Sequence, residues 1–179
     1  MAIWGQANVG WYLLADALAV FGTAALTVLL IDPRRPTVGQ ALARATQLWP
    51  RFILASVLVA IPVNLGMWLI LPGLYFQARF LLAAPVLALE PRSAIGALGR
   101  SWRLTGRASW AVFASLVAVF ALWWMVLIPL APLDGWLRSP GHLNPVLLAL
   151  VDGALSAVTA LYQAAALVLG VVAYRRLAS

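Results

Sequence analysis

Long apolar stretches, separated by short breaks rich in Pro, Gly or Arg, make up most of the chain. A helix needs about 20 mostly apolar residues to cross a bilayer. Five stretches have roughly that length, and they cover residues 11–31, 52–71, 74–90, 109–131 and 145–172. The pattern therefore predicts an all-α integral membrane protein, with about five transmembrane helices in one domain over residues 1–179.

The third stretch is the weakest of the five, because it is short and contains Gln77, Arg79 and Pro85. The Leu-Pro-Gly sequence at residues 71–73 is typical of a tight turn between two antiparallel helices. We therefore expect the third stretch to span the membrane as well.

The distribution of arginine predicts the orientation, since cytoplasmic loops carry an excess of basic residues. With five spans, ten of the twelve arginines lie on one side, in residues 32–51, in residues 91–108 and at the C-terminus. Without the third span, the first two of these segments would lie on opposite sides. The sequence thus predicts an outside N-terminus and a cytoplasmic C-terminus.

The composition excludes a water-soluble protein, because 64% of the residues are hydrophobic and 9% are charged, against about 45–50% and about 25% in soluble domains. The net charge is +7, from 12 basic residues, all of them arginine, and 5 acidic ones. In a membrane protein such an excess indicates topology and contact with anionic lipids rather than nucleic acid.

The chain has no cysteine and one histidine, His142. This excludes disulfides, thiol nucleophiles and metal centres built from several His or Cys ligands. Phosphate-binding loops and a nucleophile beside an oriented base are also missing from the sequence. We therefore expect no catalytic site, no metal and no cofactor.

Two segments on the predicted inner side have the pattern of short amphipathic helices on the cytoplasmic membrane surface. They cover residues 37–49 and 93–104, and each begins at a favoured cap, Thr37 or Ser93. At an offset of 56 they share the pairs Ala41/Ala97, Leu42/Leu98, Arg44/Arg100, Leu48/Leu104 and Arg51/Arg107. The match predicts two parallel repeats, 11–71 and 74–131, followed by an extra span at 145–172. Chance similarity between two Ala/Leu/Arg helices is the alternative.

Charged side chains inside spans are costly and often functional. Asp16, Arg79 and Asp152 lie at similar predicted depths below the outer surface, so we expect them to meet. An ion-pair cluster is the favoured interpretation, and a site for a proton, a cation or a polar head group is the alternative. The fifth span also carries a polar stripe, formed by Asp152, Ser156, Thr159 and Gln163.

Six arginines near the inner ends of the spans predict contacts with anionic lipid phosphates. They are Arg44, Arg51, Arg92, Arg100, Arg103 and Arg107. A simple ion pair between Glu90 and its neighbouring arginines is the alternative.

Three sequence blocks carry a resemblance to a known family. They are LPGLYFQAR at 71–79, APVLALE at 84–90 and ALGRSWRLTG at 97–106. These blocks resemble the membrane domain of some glycerophosphodiester phosphodiesterases and of related stand-alone bacterial inner-membrane proteins. The resemblance covers most of the chain from Pro36 onward and implies a location in the bacterial inner membrane. It implies no activity, because in the fused enzymes a separate soluble domain carries the chemistry.

Two functions remain open from the sequence. The first is a non-catalytic accessory or scaffold subunit of a larger membrane complex, or a lipid-organising component. Its partners would be anionic membrane lipids and other membrane subunits, or further copies of this chain. The second is a small transporter or lipid-handling protein that uses the intramembrane polar residues.

Overall fold

The computed structural model describes residues 9–106, 109–139, 141–142 and 144–178. All regular secondary structure in these residues is α-helical, which confirms the predicted all-α fold. The helices are α1 (Val9–Ile31), α2 (Val38–Met67), α3 (Leu71–Phe80), α4 (Ala83–Leu89), α5 (Ala94–Gly106), α6 (Ser109–Leu137) and α7 (Pro145–Leu177).

In the described part of the chain, five segments are long and apolar enough to cross a membrane. They are Leu14–Ile31, Val38–Met67, Leu71–Leu89, Trp110–Leu137 and Pro145–Leu177. Their number agrees with the prediction, and the weak third stretch is among them. Two of the predicted spans were too short, because α6 continues past residue 131 and α7 past residue 172.

The third segment consists of two helices, α3 and α4, with a break at Leu81 and Leu82. Pro85 explains the break, since its ring lacks an N–H and clashes with the carbonyl group four residues earlier, that of Leu81. The released Leu81 carbonyl points at α7, where its oxygen lies 2.9 Å from the position of a Cβ on Gly170. The break therefore allows a close contact between the third segment and α7.

The first predicted surface helix is not a separate element, because residues 38–67 form one helix of 30 residues. The predicted cap is confirmed, with Thr37 forming a capping box with Gln40. Pro50 does not end the helix, as the buried residues Phe52 and Ala55 continue the packed face beyond it. Trp49 Nε1 donates to the Ala17 carbonyl oxygen at 3.2 Å, so this segment packs along α1.

The second predicted surface helix is present as α5, and Gly96 N donates to the capping Ser93 Oγ at 3.2 Å. The helix folds back along α4 and α3, and Ser101 Oγ donates to the Arg79 carbonyl oxygen at 2.7 Å. Ala94, Ala97, Ser101, Leu104 and Thr105 are buried on this contact face. A position on the membrane surface stays a prediction for α5.

The turns at residues 32–37 and 90–93 and the C-terminal end of α7 lie together. Arg175 Nη2 donates to the Leu30 carbonyl oxygen at 2.6 Å, and Tyr174 Oη donates to Glu90 Oε1 at 3.2 Å. We call this the arginine-rich end of the bundle. The structure thus brings together segments that the arginine distribution placed on one side, and the side itself stays a prediction.

Each of the two predicted repeats contains an ion pair between an arginine and the end of the preceding helix. Arg44 Nη1 pairs with Asp32 Oδ2 at 2.7 Å just after α1. Arg100 Nε pairs with Glu90 Oε1 at 3.5 Å just after α4. The two arginines align at the offset of 56, but their partners do not, because Asp32 lies 12 residues before Arg44 and Glu90 lies 10 residues before Arg100. The duplication therefore stays a prediction. In the first copy the surface segment and its span form one helix, α2, and in the second the described residues give α5 up to Gly106 and α6 from Ser109.

Candidate functional site

A cleft of about 590 Å³ opens between α1, α2, α3 and α7. Its polar lining residues come from all four helices and are Asp16, Thr23, Ser56, Gln77, Tyr162 and Gln163. Apolar side chains of the same helices, such as Val20, Ile53 and Val57, complete the walls. We call this the Asp16 cleft.

A hydrogen bond between α3 and α7 forms part of the wall. The Gln77 amide meets the Tyr162 hydroxyl, with Nε2 at 2.9 Å and Oε1 at 3.1 Å from Oη. The Tyr162 ring also contacts Phe120 and Trp123 of α6, with centroids 6.2 and 5.4 Å away. These contacts connect the polar edge of the cleft to α3, α6 and α7.

Asp16 lies on the cleft wall with its side chain exposed. Within the described residues its carboxylate forms no ion pair and no hydrogen bond. A carboxylate in an apolar setting needs a partner or water. The cleft therefore presents an acceptor group that is available to water or to a ligand.

The predicted cluster of Asp16, Arg79 and Asp152 is not formed. Asp152 Oδ1 accepts from Arg138 Nη2 at 2.6 Å instead, and Arg138 Nε also binds Asp134 at 2.9 Å. The cause is the length of α6, which runs beyond its expected end and carries Arg138 to the first turns of α7. Asp152 therefore has Arg138, and not Arg79, as its ion-pair partner.

Arg79 packs against α5. The residue is 8% exposed, and its guanidinium carbon lies 4.1 Å from the Trp102 ring centroid and 5.8 Å from that of Tyr75. The Arg79 carbonyl oxygen accepts from Ser101 and Thr105. The sequence gives no signal for this position, because it depends on α5 folding back onto α3.

The predicted polar stripe of α7 divides between different environments. Asp152 pairs with Arg138, whereas Gln163 lines the Asp16 cleft. Thr159 Oγ1 donates to the Leu155 carbonyl oxygen of its own helix at 2.9 Å, and Ser156 is exposed. The stripe therefore contributes one residue to the cleft rather than a continuous polar wall.

Sequence reasoning did not assign Gln77 and Tyr162 to the site. Both are polar groups inside apolar helices, where a hydrogen-bond partner is required. That requirement was the available signal, but it does not identify which helix supplies the partner.

The arginines that were predicted to contact lipid phosphates have several environments. Arg44 pairs with Asp32, while Arg92 and Arg100 both pair with Glu90. The other three are Arg51 and Arg103, which are exposed, and Arg107, which lies outside the described residues. Lipid contact stays a prediction for the whole set, and three of its members already have carboxylate partners.

Glu90 is the centre of the contacts at the arginine-rich end. Its carboxylate accepts from Arg92, Arg100 and Tyr174. Burial alone would raise the pKa of Glu90, but the hydrogen bonds from Arg92 and Tyr174 and the positive charges of Arg100 and Arg92 outweigh it. The pKa of Glu90 is therefore below its ordinary value.

The Asp16 cleft suits recognition by hydrogen bonds and charge. Its carboxylate, two amides and hydroxyl groups can bind ammonium or hydroxyl groups, while the apolar walls suit a hydrocarbon chain. Within the described ranges, no group of three or more His, Cys, Asp or Glu residues has the arrangement of a metal site.

The fold and the cleft define a helical protein with five membrane-length segments and a polar recess between them. The chain belongs to the DUF7847 family, described as a domain of unknown function, whose model matches residues 6–177. No curated protein and no solved structure matches the chain. The family description gives no activity, so the resemblance to the phosphodiesterase membrane domain stays a prediction.

Proposed function

We propose that this protein is a non-catalytic, multi-pass membrane protein that binds an amphipathic molecule in the Asp16 cleft. This is the lipid-handling function that the sequence left open. The observation that carries the proposal is the Asp16 carboxylate, which has no partner among the described residues and lies on the wall of a cleft of about 590 Å³ with both polar and apolar lining.

The size of the cleft supports a small-molecule ligand, since such pockets usually measure about 300–1,000 Å³. Its charge favours an ammonium or hydroxyl group, because the Asp16 carboxylate repels anions. The hydrocarbon part of the ligand would lie along Val20, Ile53 and Val57. A lipid or lipid-like amine or polyol meets these requirements.

The membrane setting supports the same conclusion. The four helices that line the cleft all belong to membrane-length segments, so in a bilayer the cleft would lie among lipids. A charged residue there is expensive without a polar partner. A ligand head group at Asp16 would supply that partner.

Filling the cleft tests the proposal. Ala60 is an exposed lining residue of α2, so Ala60→Trp would occupy part of the space. Ala118 is also an exposed alanine in a membrane-length helix, but it lies outside the lining set, which makes Ala118→Trp the matched control. After gentle extraction, native mass spectrometry should show a retained amphiphile in the wild type and in Ala118→Trp. Ala60→Trp should retain at least about tenfold less.

The carboxylate is tested by a second matched pair. Asp16→Asn removes the charge in the cleft, and Asp152→Asn makes the same change in an ion pair elsewhere. We expect Asp16→Asn alone to lower retention of molecules with ammonium or hydroxyl heads. Equal retention in all variants would disprove the proposal. A stoichiometric second polypeptide with an empty cleft would support the accessory-subunit function instead.

A further inference from the structure

Arg79 marks a second candidate site on the opposite side of α3. The residue lies in the last turn of that helix and is 8% exposed. An arginine keeps its positive charge in proteins, and a buried charge is costly unless it is paired and hydrogen-bonded. The partners of this guanidinium therefore need an explanation.

The described residues provide no hydrogen-bond acceptor for it. Arg79 Nε is buried without a hydrogen-bond partner, and the guanidinium forms none of the ion pairs in the described part of the chain. Its contacts are with aromatic faces, at 4.1 Å from the Trp102 centroid and 5.8 Å from that of Tyr75. Such contacts act on the flat face of the guanidinium. Its N–H groups lie in the plane and point outward from the edge, so the aromatic rings do not accept hydrogen bonds from them.

Gly106 leaves space beside the terminal nitrogens. A Cβ at this position would lie 3.6 Å from Arg79 Nη1 and 4.0 Å from Nη2, so any larger side chain would cover them. Arg103 lies one helical turn earlier on the same side of α5 and is exposed. Arg79, Trp102 and Gly106 thus border a positively charged recess, which we call the Arg79 recess.

We infer that the Arg79 recess binds a phosphate group, and that the phosphate belongs to the head group of an anionic phospholipid. The planar edge of a guanidinium matches two oxygens of a phosphate with two parallel hydrogen bonds. The lipid source is favoured because the recess is bordered by Tyr75 and Trp102, which are 40% and 36% exposed in a largely apolar protein. Amphipathic aromatic side chains of this kind are enriched where lipid head groups meet the hydrocarbon region.

This inference does not rest on the proposed function of the Asp16 cleft. The cleft presents a carboxylate and suits a cationic or neutral group, whereas the recess presents a guanidinium and suits an anion. Failure of either site leaves the other unaffected.

Two glycine variants of α5 form the main test. Gly106→Leu covers the guanidinium without changing any charge, while a Cβ on Gly99 would meet no atom within 4 Å. The two changes add the same side chain to the same helix, so Gly99→Leu is the matched control. Binding of short-chain phosphatidylglycerol to the full-length protein in detergent is measured by isothermal titration calorimetry. We expect Gly106→Leu to raise the Kd at least about tenfold and Gly99→Leu to leave it unchanged.

Variants of Arg79 test the proposed contact with the phosphate by changing the guanidinium itself. Arg79→Lys keeps the charge but loses the two-pronged geometry, and Arg79→Gln loses both. Affinity should fall from the wild type to Arg79→Lys and again to Arg79→Gln, with helicity checked by circular dichroism. Should Arg79→Gln fail to fold, the glycine pair still decides the question.

Inorganic phosphate is the second probe and distinguishes the two sources of the group. Weaker binding of inorganic phosphate than of phosphatidylglycerol supports a lipid head group. Binding of phosphate that is equally tight, and equally sensitive to Gly106→Leu, supports the phosphate site but assigns it to a soluble compound. Absence of saturable binding of both probes to the wild type, or equal affinities of wild type and Gly106→Leu, would overturn the inference.

Discussion

At the scale of single residues, glycines determine how closely the helices approach. A Cβ on Gly66 would lie 2.7 Å from the backbone nitrogen of Gly73, and one on Gly170 would lie 2.9 Å from the carbonyl oxygen of Leu81. In both places the obstructing atom belongs to the backbone and cannot rotate away. Small residues at such contacts are typical of packed membrane helices.

Gly66→Ala should therefore destabilise the protein, although alanine is the better helix former. We expect a loss of about 1–3 kcal/mol in the free energy of unfolding, because the added methyl group forces α2 and α3 apart. Gly22→Ala is the control, since its Cβ would meet nothing within 4 Å, and it should be neutral or slightly stabilising. The midpoint of thermal unfolding in detergent measures both effects. Equal midpoints for the two variants would contradict the predicted close contact.

At the scale of elements, the features that depend on neighbouring residues were predicted, whereas those that depend on contacts between helices were not. The caps Thr37 and Ser93 were predictable because capping involves only neighbouring residues. The separation of the surface helix at 37–49 from the span at 52–71 was wrong, because the buried residues Phe52 and Ala55 continue the packed face of α2 beyond Pro50. The position of Arg79 was also missed, since its contacts with Trp102 depend on α5 folding back. The number of membrane-length helices was predictable, but the residues that share a cavity were not.

The contacts of Glu90 join α4, α5 and α7, which makes this carboxylate important for the position of those elements. Because the pKa of Glu90 is lowered in the folded protein, its contribution to stability is present above the pKa of the unfolded chain. The contribution is lost as the pH falls through the folded pKa. We expect Glu90→Gln to lower the free energy of unfolding by about 1–3 kcal/mol at neutral pH.

As the pH falls below the ordinary pKa of glutamate, about 4.3, the advantage of the wild type over Glu90→Gln should begin to shrink. The two should reach the same stability only below the lowered pKa of Glu90 in the folded protein. Thermal midpoints measured from neutral to acidic pH test this convergence. Asp134→Asn is the control, because it removes an exposed ion pair with Arg138 four residues along the helix, which is worth little. A constant difference between wild type and Glu90→Gln at all pH values would show that the carboxylate charge is not the cause.

At the scale of the whole molecule, α3 separates two sites of opposite charge. Gln77 lines the Asp16 cleft, and Arg79 contacts Trp102 of α5. Two residues along a helix correspond to a rotation of about 200°, so these side chains point in nearly opposite directions. The protein can therefore present the acidic Asp16 cleft on one side of α3 and the basic Arg79 recess on the other.

This separation predicts that the two sites act independently. The double variant Ala60→Trp/Gly106→Leu should combine the losses of both single variants, with an interaction energy within about 0.5 kcal/mol. Amphiphile retention and phosphatidylglycerol affinity are the two readouts. Both are measured on the wild type, the two single variants and the double variant. A change in phosphatidylglycerol affinity caused by Ala60→Trp alone would show that the sites are coupled through α3.

The orientation of the whole bundle can be tested because the chain contains no cysteine. Ser139→Cys lies just beyond α6, while Pro91→Cys and Ala178→Cys lie at the arginine-rich end. With five spans and the predicted sidedness, an impermeant maleimide should label Ser139→Cys in intact cells, and the other two only after the membrane is opened. Labelling of Ala178→Cys from outside together with Ser139→Cys would mean that α7 does not span. Labelling of Pro91→Cys and Ala178→Cys from opposite sides would disprove the five-span arrangement, because α5, α6 and α7 would then cross an odd number of times between them.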